Sequence, residues 1–176
     1  QIDKKEIKQA ATAFGLSLQL DPNDRQAHIE LGGLLLGAKQ GKLAQPHFES
    51  ALRATPNDPE LISSLAMSMM MQGEFETAER HFRRAAKLRP FPLAHWHLAE
   101  LAIGQKNTLA AIQEYETAIE IQPDLISKAN NLAWLLATTT DDDLQNADRA
   151  VQIAESVVRS EDDAPRSQSY DTLGAA

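Results

Sequence analysis

Apolar residues along this chain recur at intervals of three and four, and the groups they form recur in turn. Ala78, Phe82 and Ala85 are separated by four and three residues, which places a small, an aromatic and a small side chain on one face of a helix. The same trio appears as Ala10, Phe14 and Ser17, as Ala44, Phe48 and Ala51, and as Ala111, Tyr115 and Ala118. A proline follows each trio: Pro22, Pro56, Pro90 and Pro123, spaced 34, 34 and 33 residues apart. Proline lacks the N–H and the conformational range to continue a helix, so each one marks a helix stop.

A second series runs between the trios. Leu31, Leu65, Leu98 and Leu132 are spaced 34, 33 and 34 residues apart, and each is followed at once by Gly32, Ala66, Ala99 or Ala133. These mark a partner helix in each unit. Turn signals at Gln40-Gly41, Gln72-Gly73 and Lys106-Asn107 separate the two helices closely enough to force an antiparallel hairpin. The pattern predicts helices over 3–20, 25–39, 42–54, 58–71, 74–88, 92–104, 108–121, 125–138, 144–159 and 167–176. Asp58 ahead of Pro59 is a strong start signal, with the carboxylate free to cap N–H groups and proline at the first helical position; Asn107 and Asp124 are expected to act likewise. In the first unit the glycine falls at Gly41, two residues later than in the second, so the first helix is expected to run long.

With these residues in place, the chain resembles the tetratricopeptide repeat family. Its pattern of aromatic-x-x-Leu-Gly, then Gly, then Ala-x-x-x-aromatic-x-x-Ala, then Pro is matched best by Ile62 to Pro90. The resemblance implies an all-α, right-handed superhelical solenoid of antiparallel helix pairs. Its units are 1–22 (second helix of a truncated repeat), 23–56, 57–90, 91–123, 124–163 and 164–176 (first helix of a truncated repeat), forming one domain. In the fourth repeat 17 residues separate Ala133 from Ala150 where the family has about 12, and the surplus falls at Thr138 to Asp143, an expected longer loop. Asn130 to Leu136 and Asp171 to Ala176 are similar to terminal repeats of bacterial members. Together with a start at Gln1, they lead to the expectation of a piece of a longer bacterial array.

Composition agrees with a folded helical protein: 43% hydrophobic, 24% charged, and sparse in aromatic residues. No apolar run approaches the roughly 20 residues that cross a bilayer, so direct membrane insertion is not expected. Without cysteine there is neither a disulfide nor a thiol nucleophile, and the compartment, cytoplasmic or periplasmic, stays open. Charge is uneven. Residues 1–90 carry 12 Lys and Arg against 11 Asp and Glu, whereas residues 91–176 carry 5 against 14. The acidic half repels phosphate backbones and anionic membranes, so nucleic acid is not an expected partner.

Stacked hairpins create a concave groove lined by the first helices. By the resemblance, ligand contacts come from first-helix positions off the packing stripe. These are Ile29, Gly33 and Leu36; Ser63, Met67, Met70 and Met71; Trp96, Glu100 and Ile103; and Asn130, Trp134 and Thr138. The wall is mostly apolar and suits a protein or peptide segment, since methionine repacks around different partners and tryptophan supplies contact area. The competing use of these residues is helix packing. The lysines with which chaperone-binding members grip a terminal carboxylate are missing from Ile29, Ser63, Trp96 and Asn130. Two other roles stay open: a homo-oligomer through the end helices, and an accessory domain of an enzyme or envelope complex.

Candidate chemistry is thin. His95, His97 and Glu100 do not converge as a zinc set, because residues two apart on a helix point to different sides. Asp141 to Asp143 lack the alternation and glycine of a calcium loop. His47 and His81 share one repeat position, and Arg80, Arg83, Arg84, Lys87 and Arg89 make a basic run that reads as a solvated face. No nucleophile elbow, phosphate-binding glycine loop or His-Glu-x-x-His helix is present. The expectation is a non-enzymatic scaffold with neither metal nor cofactor.

Overall fold

The computed structural model describes residues 4–141 and 144–163. Over these it is built from helices α1 (Lys4–Leu20), α2 (Arg25–Gly37), α3 (Gly41–Ala54), α4 (Pro59–Met70), α5 (Phe75–Leu88), α6 (Pro92–Gly104), α7 (Thr108–Ile121), α8 (Asn130–Thr138) and α9 (Ala147–Asp163), with a 3-10 segment at Pro123–Lys128. The predicted helix at 167–176 lies outside the described residues. Capping residues fix the starts. Asp24, Asp58 and Asn107 accept from the backbone N–H of Ala27, Leu61 and Ala110, and Asn146 accepts from that of Arg149. Asp24 also accepts from the Ser17 hydroxyl, and these bonds hold its carboxyl below the ordinary carboxylate range, the Ala27 N–H first.

Helices pack as successive hairpins: α2 on α3, α4 on α5, α6 on α7 and α8 on α9, with α3 against α4 and α5 against α6 between them. Contacts of this kind, each element against its chain neighbours, define a solenoid. The recurring trio is its core. Ala44, Phe48, Ala51, Ala78, Phe82, Ala85, Ala111, Tyr115 and Ala118 are all buried, as are Leu65, Leu98 and Leu132 of the partner helices. At Gly32 a Cβ would lie 2.9 Å from the Phe48 ring, so the missing side chain is what lets the aromatic seat against the first helix. In α1 the corresponding Ala10, Phe14 and Ser17 are only half-buried.

Two expectations are corrected. Gly41 is not the turn residue; it opens α3, where a Cβ would come within 2.6 Å of the Ser68 carbonyl oxygen and 2.9 Å of Met71 Cβ. The turn belongs to one repeat position occupied by Lys39, Gly73 and Lys106, all with positive φ (58°, 81° and 58°), and α2 therefore stops at Gly37. Two lysines accept the left-handed conformation that glycine takes freely in the middle turn. The predicted helix 125–138 is likewise broken. The chain turns straight from Pro123 into the 3-10 segment, Asp124 makes no side-chain cap, and α8 starts only at Asn130. The segment packs on α7 and α9 and buries Leu125 and Ala129, which anchors the tighter turn.

One polar slot inside each hairpin varies. His28 faces His47, His95 faces Glu114, and the equivalent pair is Ile62 with His81, each 19 residues apart. The Pro22 carbonyl, 3.1 Å from His28 Nε2, can only accept, so in the neutral pair His28 Nε2 carries the proton and His47 Nδ1–H donates to His28 Nδ1 over 2.9 Å. His95 Nδ1–H donates to Glu114 Oε2 over 2.7 Å. His81 has Ile62 across from it, and its Nδ1 is buried without a partner. Burial holds the His47 and His81 imidazoles below their ordinary value, helped by His28 for the former and by Arg84 and Arg80 for the latter.

Two predictions follow from these geometries. Lys106→Gly relieves a left-handed lysine and raises unfolding stability by up to about 1 kcal/mol in denaturant titration, whereas Gly73→Ala lowers it by about 1–2 kcal/mol. The lowered histidines bind fewer protons folded than unfolded, so the stability they contribute is full above the ordinary imidazole value of 6.5 and is lost as pH falls below it. His81→Leu removes the unpaired nitrogen. It is expected to raise stability at neutral pH by about 1 kcal/mol and to flatten the decline as pH falls below the ordinary imidazole value.

Candidate functional site

The residues expected to line the groove all fall on the first helices of the hairpins: Ile29 on α2, Ser63, Met67 and Met70 on α4 with Met71 at its C-cap, Trp96 and Glu100 on α6, Asn130 and Trp134 on α8. Burial divides them into two sets. Ser63 is buried at 7% exposure, and Ile29, Met67 and Met70 are half-buried against the core formed around Phe48 and Phe82. Trp96 is half-buried against the core around Tyr115 and meets that ring edge-on, with centroids 4.8 Å apart. These side chains serve packing first.

The second set faces solvent. Trp134 is 63% exposed and Met71 44% exposed, while Asn130 and Thr138 are exposed beside Trp134 on α8. Glu100 accepts from His97 Nδ1–H over 2.8 Å, and the His97 ring lies against Phe82 at 5.0 Å, which ties this carboxylate's position to the core. Next to Asn130, Asn131 donates from Nδ2 to the Tyr115 hydroxyl over 3.3 Å. Burial raises the Tyr115 phenol above its ordinary value; the Asn131 bond works against this, and Glu100 adds to it.

Three contributors to this face escaped the sequence reading. Leu93 on α6 is 46% exposed and stands three and seven residues before Trp96 and Glu100, hence on their side of the helix. Gly37 and Gly104 share one repeat position, as Gly33 does with Glu100, and a Cβ at any of these glycines would meet nothing within 4 Å. The backbone is therefore open to close approach there. The repeat register was the available signal. Ile103 and Leu36 are half-buried against the two cores and close the floor of the face. Among the described residues no group of three or more metal-ligating side chains converges, and no helix is long and apolar enough to cross a membrane.

Comparison with known proteins supports the repeat type read from the residues. The tetratricopeptide repeat profile matches residues 65–126, which spans α4 to the 3-10 segment. Over those residues the chain is similar to tetratricopeptide repeats. The nematode Caenorhabditis elegans has a similar protein, the tetratricopeptide repeat-containing protein trd-1, 25% identical over 130 residues that make up 73% of this chain and 16% of that protein. The chain thus spans a small part of the curated relative it matches. Among solved structures, MamA superposes with a TM-score of 0.71 over 90% of this chain and 91% of MamA at 21% identity. YrrB, described as a TPR protein with an unusual peptide-binding site, superposes with a TM-score of 0.61 over 91% of this chain and 80% of YrrB at 19% identity. Both likenesses establish the solenoid fold.

Burial makes the two tryptophans distinguishable. Trp96→Ala is expected to cost about 2–4 kcal/mol in unfolding free energy, because it empties the space against Tyr115. Trp134→Ala is expected to stay within about 0.5 kcal/mol of the parent in the same denaturant titration.

Proposed function

We propose that this tetratricopeptide array is a protein-interaction scaffold that binds a peptide or short helix across α4, α6 and α8. Met71, Leu93, Trp96 and Trp134 offer the apolar contacts, and Glu100 and Asn130 the polar ones. The observation that carries the reading is Trp134: a large aromatic side chain 63% exposed on a first helix, contributing to no core cluster. Exposed Met71 and Leu93 add to it on the neighbouring first helices, and apolar surface gathered on one face marks a site that a partner covers. Half-buried Trp96 adds a ring already fixed by Tyr115, so little side-chain entropy is lost when a ligand covers its free edge. The open glycine positions on α2 and α6 let a ligand backbone approach the helices closely. The peptide-binding description of YrrB, a protein of the same fold, supports the choice of ligand class.

A second reading is self-association through the first helix, favoured by Leu16 and Leu20 on α1, which are 54% and 90% exposed.

Selection of binding sequences from a random peptide library, followed by fluorescence titration, tests the principal reading. Trp134→Ala is expected to weaken the selected peptides at least about tenfold, the loss of one aromatic anchor. Retained affinity after replacement of Trp96, Asn130 and Trp134 together would exclude this face. Light scattering of a Leu16→Lys, Leu20→Lys variant tests the second reading, which predicts loss of any oligomer of the parent.

A further inference from the structure

On the outer side of the array, Arg80, Arg83, Arg84, Lys87 and Leu88 of α5 line a depression of about 420 Å³. Spacings of three, four and seven residues bring the four cations onto one face, and all four are exposed. The repeat does not require them. At the same positions α3 carries Pro46, Glu49, Ser50 and Arg53, and α7 carries Gln113, Glu116, Thr117 and Glu120. A mixed surface has been replaced on α5 alone of these three helices by four cations, in a chain whose net charge is −8.

Neutral acceptors anchor two of the guanidinium groups. Arg80 Nη2 donates to Thr77 Oγ1 over 3.2 Å, and Arg84 Nη2 donates to the Pro56 carbonyl over 2.7 Å and to Asn57 Oδ1 over 3.0 Å. These bonds restrain the side chains and leave their charge uncompensated. Arg83 pairs with Glu79 Oε1 at 2.6 Å, while the other oxygen of Glu79 accepts from Gln105 Nε2. Among the described residues Glu79 is the one carboxylate in an ion pair with these four cations, and Glu49 acts on the neighbouring His81 from α3. The lowered His81 imidazole, with Arg84 and Arg80 contributing after burial, registers the same positive field.

We propose that this depression is a binding site for an oligophosphate, a small molecule with two or more linked phosphate groups, held by Arg80, Arg83, Arg84 and Lys87. Guanidinium groups pair bidentately with phosphate oxygens, and a lysine adds a point charge. From Arg80 to Lys87 the helix rises about 10 Å, longer than one phosphate and matched to a chain of two or three. A docked protein would need an apolar centre, and Leu88 is the sole apolar residue of the lining. A nucleic-acid strand would need stacking platforms, and the lining holds no aromatic. The site is independent of the peptide reading, since it lies on a second helix and shares no residue with that face.

Calorimetric titration of the chain with tripolyphosphate and with orthophosphate, at matched ionic strength, tests the site. Tripolyphosphate is expected to bind at least about tenfold more tightly than orthophosphate, and Arg83→Gln with Arg84→Gln to weaken it by about tenfold or more. Lys87→Gln, which removes none of the anchoring bonds, is expected to weaken binding severalfold at an unchanged melting temperature. NMR titration of the His81 imidazole gives a second readout: bound oligophosphate moves its pKa upward, toward 6.5. Equal affinity for the two phosphates, binding indifferent to both variants, or a His81 titration that does not move would overturn the proposal. So would an RNA oligonucleotide or a phosphopeptide that binds this face more tightly than tripolyphosphate, since the surface would then belong to a macromolecule.

Discussion

Phe48, Phe82 and Tyr115 occupy the middle of successive second helices, and each fills the space beside a glycine or alanine of its own hairpin while the following hairpin closes over it. An aromatic ring can do this only if the residues above, below and opposite are small, which is why alanine brackets each ring four residues before and three after. Truncating one ring to alanine would empty a site that touches two hairpins, at a cost of about 3–5 kcal/mol. With no strand among the described residues, that single repeated insertion sets the spacing of the hairpins. The faces left over for binding are whatever the insertion does not consume.

Two core clusters result, and α6 belongs to both. Ala94, Leu98 and Leu101 pack with the residues around Phe82, while Ala99 and Ala102 pack with those around Tyr115. This explains a helix apolar on both sides, which an amphipathic pattern would not predict. In a nearest-neighbour array such a helix is the element through which the stability of one half is felt by the other.

The repeat was legible because it rests on residue types that have few substitutes: small, aromatic and proline at fixed offsets. The turns at Gln72-Gly73 and Lys106-Asn107 were legible too, but the first was displaced from Lys39 to Gly41, because lysine gives no sign of the left-handed conformation that its glycine counterpart, Gly73, advertises. The 3-10 segment was hidden for a different reason. Asp124 and Leu125 look like a helix start, and only the burial of Leu125 and Ala129 against α7 and α9 shows that tertiary packing overrides local preference there. On the first helices, sequence register identified the row of positions but could not divide it. Ser63 is buried and Trp134 exposed although both lie off the packing stripe, since exposure depends on how far the neighbouring helix reaches over each one.

The polar slots show how much freedom the scaffold leaves. His28 with His47, Ile62 with His81 and His95 with Glu114 occupy equivalent places, yet they are, in order, a neutral hydrogen bond, an unmatched pair and a charge-assisted contact. Interchange of this kind is tolerated because the slot lies beside the aromatic insertion rather than in it, so a mismatch costs about one hydrogen bond and leaves the hairpin spacing intact. The outer positions of α5 show the same freedom carried further: four cations stand where α3 and α7 have mixed or acidic residues, with no change in the packing of Ala78, Phe82 and Ala85 beneath them. A fold held together by one recurring insertion can therefore present chemically unrelated surfaces on its two sides, and each can vary without disturbing the other.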